Sequence, residues 1–183
     1  MPPIDYTNLT GPNGQEDNLG GSQQIVYYAP IRDFDTIIAP VPLATATTDA
    51  ELVNISTDHI FSTGKMFLTA YTTEDKGELD YEVQGDPDGF SVKPVAKFFY
   101  PGAKEEILAF IAKAKNDQFI FMFPLADGTV LQVGSEQFPA RIKPKWNSAT
   151  NSAGVRGAEI EVTQIVASSP VIYSGVISTT PAV

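Results

Sequence analysis

The sequence predicts a mainly β fold: a two-sheet β-sandwich or barrel with one α-helix on its flank. Short runs rich in Val, Ile, Phe, Tyr and Thr recur along the 183 residues and stop at Pro, Gly, Asn or Asp, as strands joined by turns do. Only residues 103–115 (AKEEILAFIAKAK) show a helical period, with Ile107, Leu108, Phe110, Ile111 and Ala114 forming one apolar stripe. Hydrophobic residues make up 43% of the chain, the ordinary share for a domain with a packed core, and the length suits one domain.

Taken in order, residues 1–22 are rich in Pro, Gly, Asn and Asp without apolar periodicity, and they read as a flexible N-terminal arm. Residues 23–183 read as a single β-sandwich domain. The first strand falls at 23–28, and Ala39-Pro40-Val41-Pro42 is a linker or edge because proline donates no ladder hydrogen bond. Residues 43–58, rich in Thr and Ala, match neither period, whereas 65–73 (KMFLTAYTT) read as a strand. In 78–84 (ELDYEVQ) alternation is strict, with Leu79, Tyr81 and Val83 toward a core and Glu78, Asp80 and Glu82 toward water.

The turn Gly85-Asp86-Pro87-Asp88-Gly89 leads into a strand at 90–99, with Phe90, Val92, Ala96 and Phe98 on one face, so Lys93 or Lys97 can pair with the acidic row. The helix at 103–115 follows Pro101-Gly102; Glu105 and Glu106 in its first turn and Lys113 and Lys115 in its last oppose its dipole. Strands at 118–124 and 129–133 flank the turn Ala126-Asp127-Gly128. Further strands fall at 138–146, 158–167 and 171–178, and 147–157 is a polar loop, giving roughly nine strands for one helix.

Composition narrows the function. The formal charge of −10 disfavours binding to a phosphate backbone, and the lack of cysteine removes disulfides, thiolate metal sites and cysteine nucleophiles. The longest apolar stretch, 119–125, is shorter than the ~18 residues of a spanning helix, and the N-terminus has neither a basic start nor an apolar signal core. No cofactor, metal or membrane is expected.

Candidates for chemistry each have a structural reading that outweighs the catalytic one. His59 is the single histidine, beside Asp58 but without a nucleophile-elbow sequence, and reads as structural or surface. Asp86 and Asp88 lack the remaining ligands of a calcium loop and read as a turn. Glu78, Asp80 and Glu82 could hold a glycosidase-like pair, since same-face neighbours lie ~7 Å apart, but alternate acids more often mark a solvated face. No phosphate-cradling glycine motif occurs, the sequons at Asn8 and Asn54 count only on a secretory route, and Trp146 and the tyrosines are too scattered for a sugar platform. No enzymatic activity is expected.

Three stretches, HIFSTGKMFLTAYTTEDKGELDYEVQGDPDGFS, FFYPGAKEEILAFIAKAKNDQFIFMFPLADG and RGAEIEVTQIVASSPVIYSGVI, carry a resemblance through the order of their elements. Across residues 59–177 the chain resembles the major tail tube proteins of long-tailed bacteriophages, especially a group from phages of Bacteroidetes-like hosts. The resemblance implies a virion structural protein, assembled in the bacterial host cytoplasm into stacked, hexameric rings of a tail tube. It also implies joined inner sheets around a bore that conducts genomic DNA without binding it specifically, with partners limited to the chain itself and other tail proteins. Glu78, Asp80 and Glu82 would then be lumen-facing acids that repel the polyanion. Residues 1–22, 43–58 and 147–157 would make contacts within and between rings. The Pro-rich first forty residues depart from the family. Rival expectations are a head decoration or tail completion protein, the inner tube of a contractile injection device, or a carbohydrate-binding β-sandwich.

Overall fold

The computed structural model describes residues 20–150, 154–166 and 170–182, so most of the expected arm lies outside it. In chain order the elements are β1 (Ile25–Pro30), a 3-10 turn (Ile31–Asp33), β2 (Phe34–Thr36), α1 (Asp49–Val53), β3 (Asn54–Ile55), β4 (Ile60–Phe61), β5 (Leu68–Tyr71) and β6 (Glu78–Gln84). They continue with β7 (Ser91–Pro101), α2 (Glu105–Ala114), β8 (Phe119–Pro124), β9 (Val130–Val133), β10 (Arg141–Asn147), β11 (Gly157–Thr163) and β12 (Val171–Tyr173). The fold is mainly β, as expected. A six-stranded sheet has the order β3-β12-β9-β8-β1-β5, a four-stranded sheet the order β10-β11-β7-β6, and β2 pairs with β4 as a third, small sheet.

β8 organises the packing. Its sequence FIFMFP contains no polar residue, and every one of its residues is buried. Successive side chains of a strand point to opposite faces. Phe119, Phe121 and Phe123 therefore enter one core with Phe98, Ile160 and Val162 of the four-stranded sheet, while Ile120 and Met122 enter a second with Ile55, Phe61, Phe67 and Tyr173. The expected sandwich is the first core. The second was not expected: its cover consists of β2, β4, the 3-10 turn and the C-terminal segment, pieces too short to show a period.

α2 closes the first core. Ile107 and Ala114 are buried, and Phe110 sets its ring edge-on to Tyr28 at 5.3 Å. The stripe is narrower than expected, because Leu108 is 46% exposed. A further helix, α1, lies in the stretch that matched neither period; the Thr48 side chain accepts the Glu51 N–H at its N-terminus. Strand 65–73 shrinks to Leu68–Tyr71, and 171–178 shrinks to Val171–Tyr173. Phe90, expected on the core face of β7, is instead 61% exposed just before the strand. In the turn before it Gly85 has φ of 114°, and a Cβ there would meet the Gly89 carbonyl oxygen at 2.7 Å. Only glycine fits that position.

Replacing Phe121 by Ala should cost about 3–5 kcal/mol of unfolding free energy in urea titrations, whereas Leu108→Ala should stay within about 0.5 kcal/mol.

Candidate functional site

On the four-stranded sheet, Ala96 and Phe98 of β7, Ala158, Ile160 and Val162 of β11, and Ile142 of β10 are all buried. Alternation therefore turns the odd-numbered residues of these strands to the opposite face, together with Glu78, Asp80 and Glu82 of β6. The three acids sit side by side on that exposed face. Strand register places Glu78 opposite Lys97, Lys97 opposite Glu161, and Glu161 opposite Lys143, an unbroken acid-base row across all four strands. Lys97 donates to Glu78 at 2.5 Å, and Lys143 approaches Glu161 at 3.6 Å. The Glu78 carboxylate accordingly raises the pKa of the Lys97 ammonium by accepting its hydrogen bond.

Glu78, Asp80, Glu82, Glu159 and Glu161 are thus matched on this face by Lys93, Lys97, Arg141, Lys143 and Lys145. With five acids against five bases, the strands of this face carry no net charge, and the chain's −10 resides elsewhere. The distribution within the face is uneven. Its acidic edge is β6, and its basic edge is β10, with Arg141, Lys143 and Lys145 alternating in RIKPKWN. The same period-2 signal that marks the acids was present in β10, but the sequence reading did not single it out.

Backbone pairing defines what the two edges offer. Val92 and Val166 exchange both N–H···O bonds, at 2.6 and 2.9 Å, so even-numbered residues of β7 bond β11 and odd-numbered ones bond β6. Carried across the register, Leu79, Tyr81 and Val83 of β6 and Ile142, Pro144 and Trp146 of β10 direct their backbone groups to the open sides. Pro144 therefore removes no hydrogen bond from its own sheet and lies where an edge tolerates proline. Neighbouring strands alternate in direction across the sheet, so β6 runs opposite to β10. Apart from the bridge between Ala140, just before β10, and Phe119, no strand among the described residues pairs with either open side, and the two edges carry opposite charge.

The other candidates form no site with this charged row. His59 is 7% exposed within the second core, its ring stacked on Tyr173 at 4.9 Å. Asp86 accepts the Gly89 N–H through its backbone carbonyl in a tight turn, as expected. No group of three or more potential metal ligands occurs among the described residues, and none of their helices is long and apolar enough to cross a membrane. Trp146 donates its indole N–H to the Gly102 carbonyl rather than forming part of an aromatic platform. A cleft of about 140 Å³ beneath α2, lined by Tyr28, Tyr71, Tyr100 and Phe110 among others, is well short of the ~300 Å³ at which small-molecule sites begin. No protein-family model matches the sequence, and no curated protein or solved structure matches it either.

The Lys143 side chain is 72% exposed, so its ion pair contributes little to folding. Lys143→Met should change the unfolding free energy by less than about 1 kcal/mol in urea titrations.

Proposed function

We propose that this chain is a virion structural protein, a tail tube subunit without catalytic activity, which assembles into rings that stack around a DNA-conducting bore. The observation that carries this reading is the pair of opposite edges on the four-stranded sheet, acidic β6 and basic β10. A neighbour related by rotation about an axis running along the strands would bring its β10 beside β6 in antiparallel sense, extending the sheet from subunit to subunit. Head-to-tail contacts of this kind close into rings. Charge complementarity fixes which edge meets which and disfavours β6 against β6 or β10 against β10.

In such a ring the exposed face of the sheet lines the bore, and Glu78, Asp80 and Glu82 face the lumen. The bases on the same face alter the expected electrostatics: the wall is a balanced, hydrated lattice of charges rather than an acidic one. A wall without net charge gives a passing polyanion no long-range attraction, and this serves conduction as repulsion would. The remainder of the surface carries the negative charge that keeps free subunits soluble.

Negative-stain microscopy of the purified chain across a concentration series should show rings or tubes with a stain-filled bore. Glu78→Lys, Asp80→Lys and Glu82→Lys combined should abolish them, and adding Arg141→Glu, Lys143→Glu and Lys145→Glu should restore them. Assembly indifferent to the first set, or not recovered by the second, would refute the edge-to-edge reading.

A further inference from the structure

The second core contains a buried polar chain that the assembly reading does not use. His59 Nδ1 accepts the backbone N–H of Ile38 at 3.0 Å. That contact leaves the ring proton on Nε2, 2.9 Å from Gln132 Oε1. The orientation of the Gln132 amide is set in turn, because its Nε2 donates to the Gly134 carbonyl at 2.9 Å. Both ring nitrogens are therefore satisfied only in the neutral, Nε2–H form. A second proton would have to reside on Nδ1, directly against the Ile38 N–H, and a donor facing a donor cannot bond.

We propose that His59 is an acid-released latch: its protonation frees the segment around Ile38 and loosens the layer that covers the second core, while the sandwich core stays closed. Ile37 and Ile38 pack on that core beside Phe34 and Phe61, so losing the Ile38 contact unseats the cover where it meets the six-stranded sheet. His59 is also tied to the C-terminal segment, since its own N–H donates to Tyr173 Oη, which donates to the Val176 carbonyl. Asp58 then accepts the Val176 N–H at 2.6 Å.

Burial opposes charging of the ring, and the groups around it offset that only in part. Burial pushes the His59 pKa down, against weaker upward effects from Gln132 and from the Asp58 carboxylate. Gln132 on β9 is uncharged, and Tyr173 on β12 is a phenol that burial holds protonated. On the covering elements Asp33 pairs with Lys65 at 3.0 Å, and Asp35 accepts from the Ser62 hydroxyl. With the folded pKa below the open-state value of 6.5, the closed form is fully favoured above pH 6.5 and loses ground as pH falls through the window below it.

Native-state hydrogen exchange by NMR on the intact chain tests the latch between pH 7.5 and 5. The protection factor of the Ile38 amide, corrected for intrinsic exchange, should fall by up to about tenfold per pH unit below 6.5, the slope of one proton, while that of Ile160 in the sandwich stays level. His59→Phe keeps an aromatic ring on Tyr173 but removes both nitrogens, and should leave Ile38 poorly protected at every pH. A flat Ile38 profile, a parallel fall at Ile160, or a pH slope surviving in His59→Phe would each overturn the proposal.

Discussion

Burial of both faces of β8 is the constraint on which the rest of the molecule depends. A strand without a polar side chain must be covered above and below, and the chain meets that requirement with two unlike layers. On one side regular strands and α2 build a sandwich whose residues interlock through Phe98, Phe121 and Ile160. On the other, short irregular pieces form a lid over Ile120 and Met122, held by apolar contact and by hydrogen bonds that involve His59, Tyr173 and Asp58. Gly175 shows how closely that lid fits: a Cβ there would meet the Tyr173 ring and hydroxyl at 2.8 Å.

The two layers divide the labour of the fold. The sandwich fixes the four-stranded sheet with its buried side toward β8, and its other side carries the alternating charged row together with Val95, Phe99 and Thr163. An edge-exposed sheet is ordinarily an aggregation hazard that charge and proline restrain. Here both devices are present, and they are arranged asymmetrically: acids on β6, bases with Pro144 on β10. Self-pairing of like edges is penalised, and only the unlike combination is electrostatically favoured. The same residues that restrain uncontrolled association are the ones through which the proposed ring contact would form.

How much of this was legible in the sequence depends on regularity. The hairpin of β6 and β7 follows from strict alternation and turn chemistry, which leave Lys93 or Lys97 to meet the acidic row, and the structure pairs Lys97 with Glu78; the hairpin of β8 and β9, where Asp127 accepts the Thr129 N–H, follows in the same way. The helix was visible from its period, although Leu108 turned outward because only one side of α2 meets the core. The second core was hidden because β2, β3 and β4 span two or three residues each, too few to alternate. The uninterrupted FIFMF run was its one local trace, since a strand buried on both faces shows no polar side. The basic edge is legible in RIKPKWN as a period-2 row; what the sequence does not display is the strand register that sets its charges against Glu159 and Glu161.

A high-resolution electron microscopy map of the assembled protein should show a continuous antiparallel sheet in which β6 of each subunit lies beside β10 of the next, with Glu78, Asp80 and Glu82 facing the bore. Rings in which either edge remains exposed to solvent, or in which the charged face points outward, would contradict this arrangement.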